Sequence, residues 1–124
     1  HGSTFGGNPL AMRAGIETLR IMQEDGLLHN AATVGAHLRS GLERELGSLP
    51  GVQEIRGQGL MLGVQLCQPC AQLVAQAAQA GLLLSVTADS VIRLLPALIL
   101  TAAQADDIVA ILAPLVKQFL AEHP

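Results

Sequence analysis

Aromatic residues are nearly absent: no tryptophan, no tyrosine and two phenylalanines in 124 residues. Any hydrophobic core must therefore be built from Leu, Ile, Val and Ala, and base stacking on aromatic platforms is excluded as a binding mode. Charge is also scarce, at 14% of residues against 50% hydrophobic, which is sparse for a free-standing soluble domain. Positive charge is scarcest: Lys and Arg number 7 against 10 Asp and Glu, a net charge of −3. That balance argues against a nucleic-acid or an anionic-membrane partner. Lysine occurs once, as Lys117. From Gly57 to Ala88 there is no Asp, Glu, Lys or Arg at all. Pro69, six glutamines and several glycines interrupt that run, so it is not a membrane span. It reads as a segment buried between layers or against something outside this chain, in a domain covered on more than one side.

Cysteine is limited to Cys67 and Cys70, a lone C-x-x-C. The pair supplies two of the four ligands a structural zinc requires, and His1, His29, His37 and His123 add no matching spacing. A redox motif would want a βαβ context, whereas here Pro69 opens the next helix. The expectation is two buried structural thiols and no metal site. No signal peptide or targeting motif is visible, so the cytoplasm is the default compartment. Opening on His inside a loop, the sequence reads as a piece of something longer.

What is present is organised around His1-Gly-Ser-Thr-Phe-Gly-Gly-Asn-Pro-Leu-Ala11. Residues 1–7 form a loop with two hydroxyls and a Gly-Gly pair. Asn8 then caps a helix whose first position, Pro9, has no N–H to lose. Such a loop, running into the positive end of a helix, offers donors to an anion. The helix should run to about Asp25, with Gly26 at its C′ position. Arg13, Glu17, Arg20 and Glu24 make a narrow charged stripe, and the remaining circumference is apolar or small, which predicts a mostly buried helix. A second helix, Leu27 to Leu46, places Leu28, Ala31, Gly35, Leu38 and Leu42 on one face, with Asn30, Thr33 and a solvated His37 opposite.

After the Leu49-Pro-Gly51 turn the period becomes two. Val52–Ile55 is a short strand ended by Gly57-Gln-Gly59. Leu60, Leu62, Val64 and Leu66 alternate along the next. A short helix from Cys70 to Ala78 ends at Gly81. Leu82–Val86 and Val91–Leu95 are the last strands, with Pro96 as a stop. Thr101-x-x-Gln104 is a capping box for a final helix that Pro114 should kink or break. These elements predict an α+β fold, a small, mainly antiparallel sheet of three to four strands covered by helices.

Arg93 is the most informative single position, a guanidinium inside Val91-Ile-Arg-Leu-Leu-Pro96. Buried there, it needs a partner, either structural or a carboxylate held bidentately. Arg56 more readily anchors strand and turn, and Lys117 fits a snorkelling position at a helix end.

Three stretches together, the eleven residues above, Ile55-Arg-Gly-Gln-Gly-Leu-Met-Leu-Gly63 and Val91-Ile-Arg-Leu-Leu-Pro-Ala-Leu-Ile99, resemble the class III (ω-amino) pyridoxal-phosphate aminotransferases, in the order that family has them. The likeness is strongest to the branch that moves the terminal amino group of N-acetylornithine to 2-oxoglutarate, a step of arginine biosynthesis. Branches using ornithine, succinylornithine or 4-aminobutyrate are the alternatives. A non-catalytic α+β binding or dimerisation module on the same scaffold is the rival of another kind. The resemblance covers nearly the whole chain but only the C-terminal small domain of a fold type I enzyme. It implies a cofactor-contacting loop at 1–7, a linking helix at 8–26 and an α+β sandwich at 27–124. It implies that Thr4 contacts the phosphate of pyridoxal 5′-phosphate across a homodimer interface, that Ser3 lines the partner's substrate pocket, and that Arg93 faces the active site and engages a substrate carboxylate or an acidic side chain of the larger domain. The covalent lysine and the aspartate that pairs the pyridine nitrogen would lie in an upstream large domain. The reaction needs that amine, and Lys117 matches no family motif. The 124 residues alone are therefore expected to be inactive. Two departures from the pattern stand out: Ala97 where a second proline is common, and Leu84-Ser85 in place of a valine–asparagine pair.

Overall fold

A computed structural model describes residues 2–123. Its elements are α1 (Pro9–Glu24), α2 (Leu27–Leu46), β1 (Val52–Gln58), β2 (Met61–Leu66), α3 (Leu73–Gln79), β3 (Ser85–Thr87), β4 (Val91–Leu94) and α4 (Ala102–Glu122). The four strands form one sheet in the order β1-β2-β4-β3, and every pairing is antiparallel. The fold is α+β, as the change of period from helical to alternating implies.

Alternation decides the two faces of the sheet. Ile55, Leu62, Val64, Leu66, Ile92 and Leu94 point inward and are buried. They form one core with Leu38, Leu42 and Leu46 of α2, Leu73 of α3, and Leu112, Val116 and Phe119 of α4. The reverse face carries exposed Arg56, Met61 and Arg93 and half-buried Gln65, and among the described residues no helix lies over it. The charge-free stretch is thus buried on one side only.

α1 departs most from its sequence pattern. None of its residues is buried, and Leu10, Ile16 and Leu19 are 80%, 59% and 63% exposed. The reason is geometric: α1 packs only on α2, so one side of a largely apolar helix is contacted and the rest has no neighbour. Its boundaries follow the capping chemistry. Asn8 Oδ1 accepts from Leu10 N at 2.9 Å and Ala11 N at 3.3 Å. Gly26, at φ 64°, takes the left-handed turn into α2 that a side chain would oppose. The charged stripe closes Arg20 onto both Glu17 and Glu24. In α2, Leu28 lies outside the core at 65% exposure, and Val34, Gly41 and Leu46 join Leu38 and Leu42 within it.

Four further expectations change. β1 continues through Gly57 to Gln58, because Gly57 stays in the ladder opposite Leu62. β3 starts only at Ser85, where its ladder to β4 begins opposite Arg93, and Leu82–Leu84 lie outside that ladder. α4 runs unbroken past Pro114. The carbonyl that loses its bond belongs to exposed Ala110, so solvent can satisfy it while the buried face holds α4 against α2. α3 begins at Leu73 rather than at Cys70, and of the two thiols only Cys70 is buried, its pKa pushed up by desolvation, whereas Cys67 is exposed.

Long-range polar contacts tie the helices together. Lys117 Nζ meets Glu45 Oε2 at 2.8 Å and His37 Nε2 meets Asp106 Oδ1 at 2.7 Å, both across α2 and α4. Lys117 thus serves α2–α4 docking as half of an ion pair. That bond holds the Glu45 carboxyl below its ordinary range. A carboxyl depressed in the folded state stabilises above its unfolded pKa, and the effect fades as the pH falls through the folded value. Glu45→Gln should lower the thermal midpoint by about 1–2 °C at pH 7. The difference from the parent should shrink steadily as the pH falls through the carboxylate range, and a difference that does not change with pH would remove the pair as its cause.

Candidate functional site

The open face of the sheet concentrates the charged chemistry. Register places Arg56 opposite Gly63, Gly63 opposite Arg93, and Arg93 opposite Ser85, so four residues on four adjacent strands stand in one row. Arg56 is engaged: Nη1 donates to Glu54 Oε2 at 2.8 Å and to Gln65 Oε1 at 2.6 Å. Gln65 Nε2 in turn donates to Gln53 Oε1 at 2.8 Å, so Arg56 anchors a polar network along β1 and β2.

Arg93 differs. It was expected to be a buried, paired guanidinium, but it is exposed, because Ile92 and Leu94 take the inward positions and leave Arg93 facing out. Its one hydrogen bond among the described residues runs from Nε to Ser85 Oγ, at 3.1 Å. No carboxylate among those residues pairs with it, so both Nη groups are available to a planar anion. Arg93 borders two recesses. One, of about 290 Å³, is walled by Leu82–Leu84, Leu95 and Pro96. The other, of about 320 Å³, is shared with Arg56, Gly63 and Thr87.

Asn30 is a contributor that sequence reasoning missed. Placed on the polar face of α2 by its spacing, it donates through Nδ2 to Leu98 O at 2.7 Å and Leu100 O at 3.0 Å. It therefore fastens to α2 the loop that follows Arg93. Nothing local signals this, because the acceptors lie 68 and 70 residues away.

Ser3 and Thr4 lie in the exposed loop before α1. His1 of the same motif falls outside the described residues. The first-turn amides of α1 are not open to an anion, since Asn8 already accepts from Leu10 and Ala11 and Pro9 has none to offer. What remains for a phosphate is the pair of hydroxyls and the loop amides ahead of Asn8, a donor set that suits an oxyanion. No hydrogen bond joins Ser3 or Thr4 to the sheet among the described residues.

The described residues thus present an antiparallel sheet with one face open, an arginine unpaired by any carboxylate on that face and a hydroxyl-bearing loop ahead of α1. The class-III aminotransferase family model matches residues 1–116, and the chain belongs to that family. Among curated relatives, acetylornithine aminotransferase 1 of Bordetella bronchiseptica is 54% identical over 123 residues, 99% of this chain and 31% of that protein. The acetylornithine aminotransferase of Nitrosomonas europaea is 44% identical over 97% of this chain and 30% of its own length. Among solved structures, ornithine aminotransferase PY00104 from Plasmodium yoelii superposes with a TM-score of 0.89 at 33% identity, over 96% of this chain and 32% of that one. Acetylornithine aminotransferase from Elizabethkingia anophelis gives a TM-score of 0.83 at 31% identity, over 96% and 32%. The chain spans a little under a third of the length of these relatives.

Proposed function

We propose that these residues are the C-terminal small domain of a pyridoxal-phosphate-dependent acetylornithine aminotransferase. The observation that carries the reading is identity above one half, along the whole chain, to a protein of that name. The reaction is a ping-pong transfer in which the terminal amino group of N-acetylornithine passes to 2-oxoglutarate, giving glutamate and an N-acetylated semialdehyde. Pyridoxal 5′-phosphate supplies the electron sink for this chemistry when bound. Thr4 fits its phosphate end through its hydroxyl and the loop amides, and Ser3 beside it lines the substrate pocket of the partner subunit. The only lysine, Lys117, is committed to Glu45 of α2 as half of an ion pair, and the covalent attachment belongs to an upstream large domain. Arg93 holds the substrate carboxylate, fixing the distance and direction from that anchor to the reacting amine or ketone.

Division of labour follows. Residues 1–7 serve the cofactor, 8–26 form the linking helix, and 27–124 form the sandwich that presents Arg93. No hydrogen bond among the described residues ties the loop to the sheet, and the loop serves the site of a second subunit, so that the enzyme works as a homodimer with shared active sites. The apolar flank of α1 suits a helix covered in that assembly. Among the described residues no helix is long and apolar enough to cross a membrane. A cytoplasmic enzyme of amino-acid biosynthesis is the setting that this reaction fits.

Ornithine as donor is the second reading, favoured by the names of the superposable Plasmodium and Toxoplasma structures. The longer protein carrying this chain, loaded with cofactor, separates the two when assayed on N-acetylornithine, succinylornithine, ornithine and 4-aminobutyrate. We expect kcat/KM for N-acetylornithine to exceed that for ornithine and 4-aminobutyrate by more than tenfold. A tenfold preference for either of those two overturns the assignment.

A further inference from the structure

The geometry points to Ser85 as a positioning residue that aims Arg93 at the substrate carboxylate, an inference that rests on the substrate-binding role proposed for Arg93. Ser85 and Arg93 are register partners on the β3–β4 hairpin. The hairpin is closed by Ala88 and Asp89 at φ 46° and 60°, with Ser90 N returning to Ala88 O at 2.7 Å. Three residues, Ala88–Ser90, link the register partners Thr87 and Val91, and this short connection sets the pairing that puts Ser85 opposite Arg93. Ile92 and Leu94 are held in the core on either side of Arg93, so its backbone has little freedom to turn.

The side chain is a different matter. Arginine has four rotatable bonds and about 2 kcal/mol of rotamer entropy to lose, and an exposed one is otherwise unconfined. The bond from Nε to Ser85 Oγ, at 3.1 Å, is the only restraint on it among the described residues. Its choice of atom matters. A carboxylate can be received by Nε with one Nη, or end-on by the two Nη groups. With Nε occupied by the serine, the end-on face is the one left open, and the approach direction of the anion is set. A serine accepting from Nε also keeps its own O–H, and no acceptor for that proton occurs among the described residues. The hydroxyl and the guanidinium border the same recess of about 290 Å³, whose other walls are mostly leucine. An apolar surround strengthens both bonds relative to open solvent. The ligand class is therefore a carboxylate arriving end-on to Arg93, with Ser85 holding the guanidinium from behind.

The test uses the longer enzyme loaded with cofactor and compares Ser85→Ala, Ser85→Thr and Arg93→Lys. Readouts are KM and kcat with 2-oxoglutarate, the equilibrium Kd of glutarate (a dicarboxylate that cannot react) followed by cofactor absorbance, and the thermal midpoint. S85A should raise the KM for 2-oxoglutarate and the Kd of glutarate together by about three- to tenfold, with kcat within twofold and the midpoint unchanged. S85T, which keeps the hydroxyl, should return both constants to within about twofold of the parent. Parent-like KM and Kd in S85A overturn the inference, and so does a loss that threonine fails to rescue. If R93K weakens glutarate and S85A does not, Ser85 falls and the role of Arg93 stands. If R93K also leaves glutarate binding unchanged, the reading of Arg93 falls and takes Ser85 with it.

Discussion

Replacing Arg93 by glutamine in the longer enzyme should lower kcat/KM for 2-oxoglutarate by about a hundred- to a thousandfold, with the fold intact. The size follows from the kind of bond removed. A guanidinium holding a carboxylate through two parallel N–H donors forms a charge-assisted pair, and truncating one partner of such a pair costs about 2–5 kcal/mol, a factor of ten for every 1.4. Glutamine keeps the side chain polar and loses both the charge and the fork. Lysine keeps the charge and loses the fork, so R93K should fall between the parent and R93Q. Stability is expected to change by less than about 0.5 kcal/mol in either variant, since Arg93 is exposed and its one bond is to an exposed-face serine. Loss in kcat/KM without loss in thermal midpoint is the signature of a binding role. An R93Q enzyme within fivefold of the parent on 2-oxoglutarate would show that the anion is held elsewhere and that Arg93 is a spectator on an open sheet face.

The sequence made some of this legible and hid the rest for definable reasons. Helix limits were readable because their chemistry is local: Asn8 before Pro9, Gly26 between two helices, and Thr101 with Gln104 all bond within three or four residues. The inward set of β2 was readable because Leu60, Leu62, Val64 and Leu66 alternate without a break. Arg93 was readable as informative but not as exposed. Attention to a charge in an apolar run obscured the alternation of Ile92 and Leu94 around it, which already assigns Arg93 to the outer face. At Pro114 the lost bond does not end the helix, because Leu112, Ala113 and Val116 beside it are buried in the core and hold α4 in place. The exposure of α1 lay beyond any local pattern. Amphipathicity reports that a face wants covering, not whether the covering residues belong to the same chain. The Asn30 clasp and the Ser85–Arg93 bond depend on register and long-range docking, which composition does not carry.

Gly35→Ala should destabilise the protein by about 2–4 kcal/mol, the reverse of what helix propensity predicts. Gly35 lies within α2, where alanine is favoured over glycine by about 1 kcal/mol. It is also the point where α2 crosses the β1–β2 turn. A Cβ built on Gly35 falls 2.1 Å from Gly59 O, 2.4 Å from Gly59 C and 3.0 Å from its Cα, all backbone atoms. Neither partner can give way cheaply. Gly59 is held in the left-handed region at φ 55°, and the turn is flanked by buried Leu60 and by Gly57, which has its own close approach to the Met61 carbonyl. Moving α2 instead would lift Leu38 and Leu42, both fully buried, off the sheet, and a gap of 0.5–1 Å forfeits about a quarter to a half of each dispersion contact. The steric term therefore exceeds the propensity gain several-fold. Gly15→Ala supplies the control: it too is inside a helix, α1, but its Cβ would meet nothing within 4 Å. There propensity acts alone, and stability should rise by up to about 1 kcal/mol. Urea unfolding of the two variants beside the parent, analysed at common m, reads the sign of each change directly. A stabilised G35A protein would mean that α2 and the hairpin separate freely, and the tight crossing that places β1 and β2 beneath α2 would no longer account for the site they carry.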